Sequence, residues 1–152
     1  MNLDFDKIKF RHFTPVQIRF NDLDMMGHVN NSIHLAYYDI ARVAYFQQII
    51  KSIDWNKESL VIVSITIDFV NPVLLNDQIV IKSKIYQIGN KSVFMYQEIT
   101  DLNTKEVKSR NRTVLACFDH QKKTTFQIHD SWVKAIKKQE GRVALKKSVS
   151  QI

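Results

Sequence analysis

Hydrophobic and polar positions along the chain fall into one helical stretch and several extended ones. Residues 16–20 alternate as a strand would, with Val16, Ile18 and Phe20 apolar. Residues 32–50 read as one helix, because Ile33, Tyr37, Ile40 and Ala44 recur at i, i+4, i+7 and i+11. Leu35, Ala36, Ala41, Val43 and Phe46 spread apolar character round more of that helix, which predicts burial on most of its sides. Four β-type runs follow, over 59–69, 78–88, 92–100 and 107–119, each rich in Val and Ile. A short amphipathic helix is predicted over 130–139, with Trp132, Val133 and Ile136 on its apolar face. Pro15 is expected to open the first strand. Gly89 and Asn90 should turn a hairpin, and Gly141 should cap the last helix. One long helix followed by four meandering strands is an α+β plan, in which a single antiparallel sheet curls round the helix.

At 152 residues, 45% hydrophobic and 24% charged, the chain is expected to form one globular domain over 1–152. Its core should span about 14–119, with a basic tail fraying from Lys146 onward. No apolar run is long enough to cross a bilayer, and the acidic start has no apolar leader segment. A cytoplasmic location is the expectation. The single cysteine, Cys117, lies in an apolar strand and reads as core. The five histidines show no paired ligand spacing, so neither a metal nor a cofactor is expected. The net charge of +7 gathers toward the C-terminus, in Lys134, Lys137, Lys138 and Arg142 among others. Such a surface attracts anions. No aromatic residues interleave with these lysines, which argues against nucleic acid.

The chemistry is concentrated in Arg19-Phe20-Asn21-Asp22-Leu23-Asp24-Met25-Met26-Gly27-His28-Val29-Asn30-Asn31. Two carboxylates lie on a short connection into the long helix, and Asn30, Asn31 and Ser32 are helix-capping types. An acid beside a helix start sits near unpaired backbone N–H groups and the positive end of the helix dipole. That combination can attack an activated carbonyl without a serine or cysteine nucleophile. Each Asp could equally be a turn residue.

The string Asp22-x-Asp24-x-x-Gly27-His28-Val29-Asn30-Asn31, with Tyr37, Asp39, Ala41 and Arg42 behind it, resembles the 4-hydroxybenzoyl-CoA thioesterase family. The likeness extends over about 14–118 and includes Asp68-Phe69-Val70-Asn71-Pro72. It implies a hotdog fold, a curled sheet of about five strands wrapped round one long central helix. It also implies an acyl-CoA thioesterase, with coenzyme A bound only as part of the substrate. In that likeness Asp24 is the catalytic acid, either nucleophile or general base. The backbone N–H near Asn31 holds the thioester oxygen, and Gly27 and His28 complete the catalytic set, His28 to orient Asp24 or contact substrate. Asp22 is expected to be structural, with Arg19 or Arg42 as partner. Asn30, His34 and Tyr37 are implied to border the substrate, and Lys91 with Ser92 to meet the coenzyme A phosphates, aided by Lys137, Lys138 and Arg142. His34 departs from the tyrosine common in such relatives, which bears on acyl specificity.

The resemblance further implies a homodimer or homotetramer joined at sheet edges, with the site at the interface. Asp39 and Arg42, spaced i, i+3, should pair near it. Three alternatives share the fold: an acyl-carrier-protein thioesterase, a non-catalytic acyl-ligand binding module, and a dehydratase acting on hydroxyacyl thioesters.

Overall fold

Five long strands hydrogen-bond into one antiparallel sheet in the order β1-β3-β4-β5-β2. They are β1 (His12–Val16), β2 (Glu58–Phe69), β3 (Ile79–Ile88), β4 (Ser92–Asp101) and β5 (Val107–Asp119). Two short strands extend it: β6 (Thr124–Thr125) on β5, and β7 (Ala144–Leu145) parallel to β3. Helix α1 (Asn31–Ile49) separates β1 from β2, and α2 (Asp130–Glu140) follows β6. This computed structural model describes residues 4–146; of the tail expected to fray, residues 147–152 lie outside it.

The α+β plan, α1 and the later strands lie where the hydropathy pattern puts them, within a residue or two. The first strand does not. It covers His12–Val16 rather than 16–20. Its partner decides this, because β3 begins at Ile79, opposite Val16, and among the described residues no strand pairs with 17–20. Ile18 still packs into the core, while Phe20 turns outward at 77% exposure. Pro15 therefore sits inside β1, opposite Val80, and is tolerated because β1 is a sheet edge.

Helix α1 is not covered on most sides. Tyr37, Tyr38, Ala41, Tyr45 and Phe46 are buried, but Leu35, Ile40 and Val43 are 39–52% exposed. The sheet covers one face and leaves an apolar stripe on the other. Strand β2, the opposite edge from β1, shows the same property: Ile62, Val63, Ile65 and Phe69 are 37–60% exposed.

Two apolar clusters hold α1 to the sheet. One joins its first half to Val73, Ile79, Ile81 and Ile99. The other joins Tyr45 and Phe46 to Ile85, Met95, Leu115 and the buried face of α2, Trp132 and Ile136. Cys117 belongs to that second core, and burial pushes its thiol up to about 12. Helix α2 ends on the buried Glu140, which accepts from Tyr45 Oη at 2.5 Å, Ile85 N–H at 3.2 Å and Lys84 Nζ at 3.3 Å. Gly141 then leaves the helix at φ +76°, a conformation that favours glycine. Gly89 closes the β3–β4 hairpin, with its N–H on the Ser92 carbonyl at 2.7 Å.

Candidate active site

Beyond β1 the chain makes a 3-10 turn at Phe20–Asp22 and then a tight hairpin from Leu23 to Val29. Asp24 N–H donates to the His28 carbonyl at 2.8 Å, and Gly27 N–H donates to the Asp24 carbonyl at 3.0 Å. Gly27 turns the corner at φ +77°. Asp24 Oδ1 accepts the Met26 N–H at 2.9 Å, so the turn role open to any Asp is real here. It occupies one oxygen; no hydrogen bond among the described residues engages Oδ2. The side chain is half-buried.

Asp22 is the keystone beneath this loop. It is 1% exposed and accepts from Arg19 N–H at 3.0 Å, Arg19 Nη2 at 3.1 Å and Tyr37 Oη at 2.5 Å. Burial alone would raise its carboxyl, but the bonds from Tyr37 and Arg19 outweigh that and hold it below the usual range. Of the two expected partners Arg19 is the one used; Arg42 pairs with Asp39. The Asp22 carbonyl accepts Asn30 N–H at 2.8 Å, and Val29 N–H reaches the Val73 carbonyl at 2.9 Å. These bonds fix where α1 begins. Asn30 caps it, its Oδ1 accepting Ser32 N–H at 3.0 Å. Asn31 N–H, the first amide of the helix, has no acceptor among the described residues.

A cavity of about 270 Å³ opens at this helix start. Asp24, His28, Asn31 and His34 all line it. Gly27 and Asn30 shape it without lining it, and Tyr37 is turned away onto Asp22. Lys91 and Ser92 are not brought to it. They sit at the far tip of the β3–β4 hairpin, where the Lys91 carbonyl accepts Cys117 N–H at 2.8 Å. The cavity lies instead at the Ser109 end of β5, where Phe69 pairs. Eight residues of strand separate Ser109 from Cys117, roughly 26 Å. Lys137 and Arg142 line a separate basic hollow of about 1090 Å³, with Lys7, Lys9, Arg11 and Lys84.

The rest of the cavity wall comes from Met26, Val29 and the segment Phe69, Val70, Asn71, Pro72. The sequence marks that segment as part of the family likeness without assigning it to the site; nothing local says that β2 ends facing the start of α1. Ser109 also carries no local signal. It lies across the sheet from His34, its Oγ 2.9 Å from His34 Nδ1 and 2.7 Å from Tyr38 Oη. Burial lowers His34 to about 4, so the ring is neutral. Among the described residues no three His, Cys, Asp or Glu side chains are grouped to hold a metal, and no helix is long and apolar enough to cross a membrane.

Comparison with known proteins points to one superfamily. FadM of Escherichia coli, a long-chain acyl-CoA thioesterase, is 28% identical over 109 residues, 70% of this chain and 82% of FadM. YsmA of Bacillus subtilis is 29% identical over 91 residues, 59% of this chain and 61% of its own length. A Thermus thermophilus thioesterase solved with coenzyme A and zinc superposes with a TM-score of 0.77 at 29% identity, covering 88% of this chain and 96% of that one. Residues 18–140 match the thioesterase-like superfamily, and the chain therefore belongs to that superfamily.

Proposed function

We propose that this chain is an acyl-CoA thioesterase whose reaction takes place beside Asp24. One observation carries the reading: a half-buried carboxylate with a free oxygen and the unpaired first N–H of a 19-residue helix line the same cavity. Asp24 Oδ2 attacks the thioester carbonyl carbon, or takes a proton from a water that does so. The carbonyl electron pair moves onto oxygen, where Asn31 N–H and the positive end of α1 stabilise it. Collapse breaks the C–S bond and expels coenzyme A thiolate, which takes up a proton. If Asp24 attacks directly, water then cleaves the Asp24 anhydride. The products are a carboxylic acid and free coenzyme A. The Asp22-to-Asn31 string supports placing the chain with the 4-hydroxybenzoyl-CoA thioesterases.

The reading includes a two-fold dimer through β2. That strand is an edge with exposed apolar residues, and α1 carries an exposed apolar stripe. Antiparallel pairing of β2 with a second copy would set one protomer's Glu58 end against the other's Phe69 end. A Lys91 hairpin tip would then arrive at the Asp24 end from the partner, about three strand spacings away, ~14 Å. Such a tip could meet the coenzyme A phosphates that no single protomer can reach from both ends.

Thiol release from a panel of short, medium, long and aromatic acyl-CoAs tests the assignment. The native chain should hydrolyse at least one, and Asp24→Asn should lose ~100-fold or more while still binding it. Undiminished turnover in Asp24→Asn would remove Asp24 from the mechanism. Binding of acyl-CoA by the native chain without any hydrolysis would favour the acyl-ligand binding module.

A further inference from the structure

Beneath the carbonyl end of the cavity lies a polar relay that thioester hydrolysis does not itself require. Tyr38 and Ser109 are 0% exposed and His34 is 2% exposed. Ser109 Oγ stands between Tyr38 Oη, at 2.7 Å, and His34 Nδ1, at 2.9 Å. The Tyr38 hydroxyl is buried, so its proton needs an acceptor within the protein, and among the described residues its side chain has one hydrogen-bond partner. Ser109 Oγ is the one in reach. Having accepted from Tyr38, Ser109 has a single proton left, and it goes to His34 Nδ1. Nδ1 is thus an acceptor, and the proton of the neutral ring sits on Nε2. Reversing the relay would strand the Tyr38 proton in a dry site, at the full cost of its desolvation.

No hydrogen bond among the described residues engages His34 Nε2, and the ring forms part of the cavity wall with Asp24 and Asn31. Asn31 and His34 are three residues apart on α1, so one helix face presents both. The axial step between them is ~4.5 Å, about three carbon–carbon bonds. We infer that His34 is a specificity-determining residue: its Nε2–H is a fixed donor for an oxygen carried on the acyl group near the thioester carbonyl, as in 3-hydroxyacyl and 3-oxoacyl thioesters. A plain alkyl chain would strip water from this donor and leave it unpaired, whereas an oxygenated chain pairs it. The inference rests on the thioesterase reading for its kinetics and on the tautomer independently of it.

The test uses the full chain and three coenzyme A thioesters of one length: butyryl, 3-hydroxybutyryl and 3-oxobutyryl. Native kcat/KM should favour the better oxygenated substrate over butyryl by ~10-fold or more. His34→Phe should bring that ratio to within about twofold, and His34→Gln, which keeps an N–H donor, should restore part of it. A native ratio near one, or a ratio unchanged in His34→Phe, overturns the inference. Nitrogen-15 histidine NMR on the native chain needs no variant to fold. It should show a neutral Nε2–H tautomer for His34 near pH 6; an Nδ1–H tautomer or an imidazolium overturns the inference. If none of the three is hydrolysed, the thioesterase reading fails for these substrates, and their affinities for the native chain decide His34 instead. The same ordering is then expected, and equal affinities would count against it.

Discussion

Replacing Tyr37 by Phe deletes one hydroxyl and leaves the ring in place. That hydroxyl donates to Asp22 Oδ2 over 2.5 Å, an oxygen that also accepts Arg19 N–H at 3.0 Å. Asp22 is 1% exposed, so water has little access to replace the lost donor. A hydrogen bond to a buried charged group contributes ~1.5–3 kcal/mol. Arg19 still serves both carboxylate oxygens, so the expected loss lies toward the lower part of that range, ~2 kcal/mol at pH 7. For a chain of 152 residues this corresponds to a fall in Tm of ~4–8 °C. The pH dependence has a definite sign. Burial raises the Asp22 carboxyl, yet the bonds from Tyr37 and Arg19 leave it below its ordinary 3.8. A depressed carboxylate stabilises the fold above the unfolded pKa, and this is lost as pH falls through the folded one. The Tyr37→Phe deficit should therefore be largest at neutral pH and shrink as the solution is taken below 3.8. Urea unfolding of both proteins at pH 7 and pH 3 measures it. A deficit under ~0.5 kcal/mol at pH 7, or one equal at both values, would refute the keystone role of Asp22.

Three further outcomes follow from the same structure. Burial lowers His34 from 6.5 to about 4 and lowers His12 as well, so across that window the unfolded chain binds protons that the native one does not. Native stability should fall on acidification from pH 6.5 toward 4, His34 accounting for up to ~3 kcal/mol; urea midpoints should show a clearly shallower slope in His34→Phe, and an unchanged slope would argue against it. Asn30→Ala removes the cap of α1 and should cost ~1 kcal/mol in thermal unfolding, while lowering turnover through the displaced Asn31 N–H. Val63→Lys places a charge on the exposed β2 edge, where Val63 is 60% exposed, and should give a monomer of reduced activity by sedimentation velocity. A Val63→Lys protein that remains dimeric would exclude pairing through β2.

Part of the site is legible in the sequence alone. Asp24, His28, Asn31 and His34 lie within eleven consecutive positions, and a turn leading into a capped helix is enough to bring such neighbours together. Asn30 is equally legible as a cap. Tyr37 is not: a helical repeat locates it one turn beyond His34, but only the depth of Asp22 draws its hydroxyl away from the cavity. Lys91 and Ser92 show the same limit on a larger scale. Their turn is evident from Gly89 and Asn90, yet the register of β3, β4 and β5 carries it to the end of the sheet away from Asp24.

The sequence by itself determined the α+β class, the helix and strand periods, the buried Cys117 and the acid-bearing loop, because each depends on residues within a few positions of one another. Tertiary structure decided the rest. It moved the first strand to His12–Val16 because β3 has no residue to pair beyond Ile79. It left one face of α1 open because a single sheet covers only one side. It also brought Phe69 and Ser109 to His34, from 35 and 75 residues away in the chain. Those contacts depend on which strands lie side by side and in what register. Hydrogen bonding across the sheet sets that, and local periodicity carries no record of it.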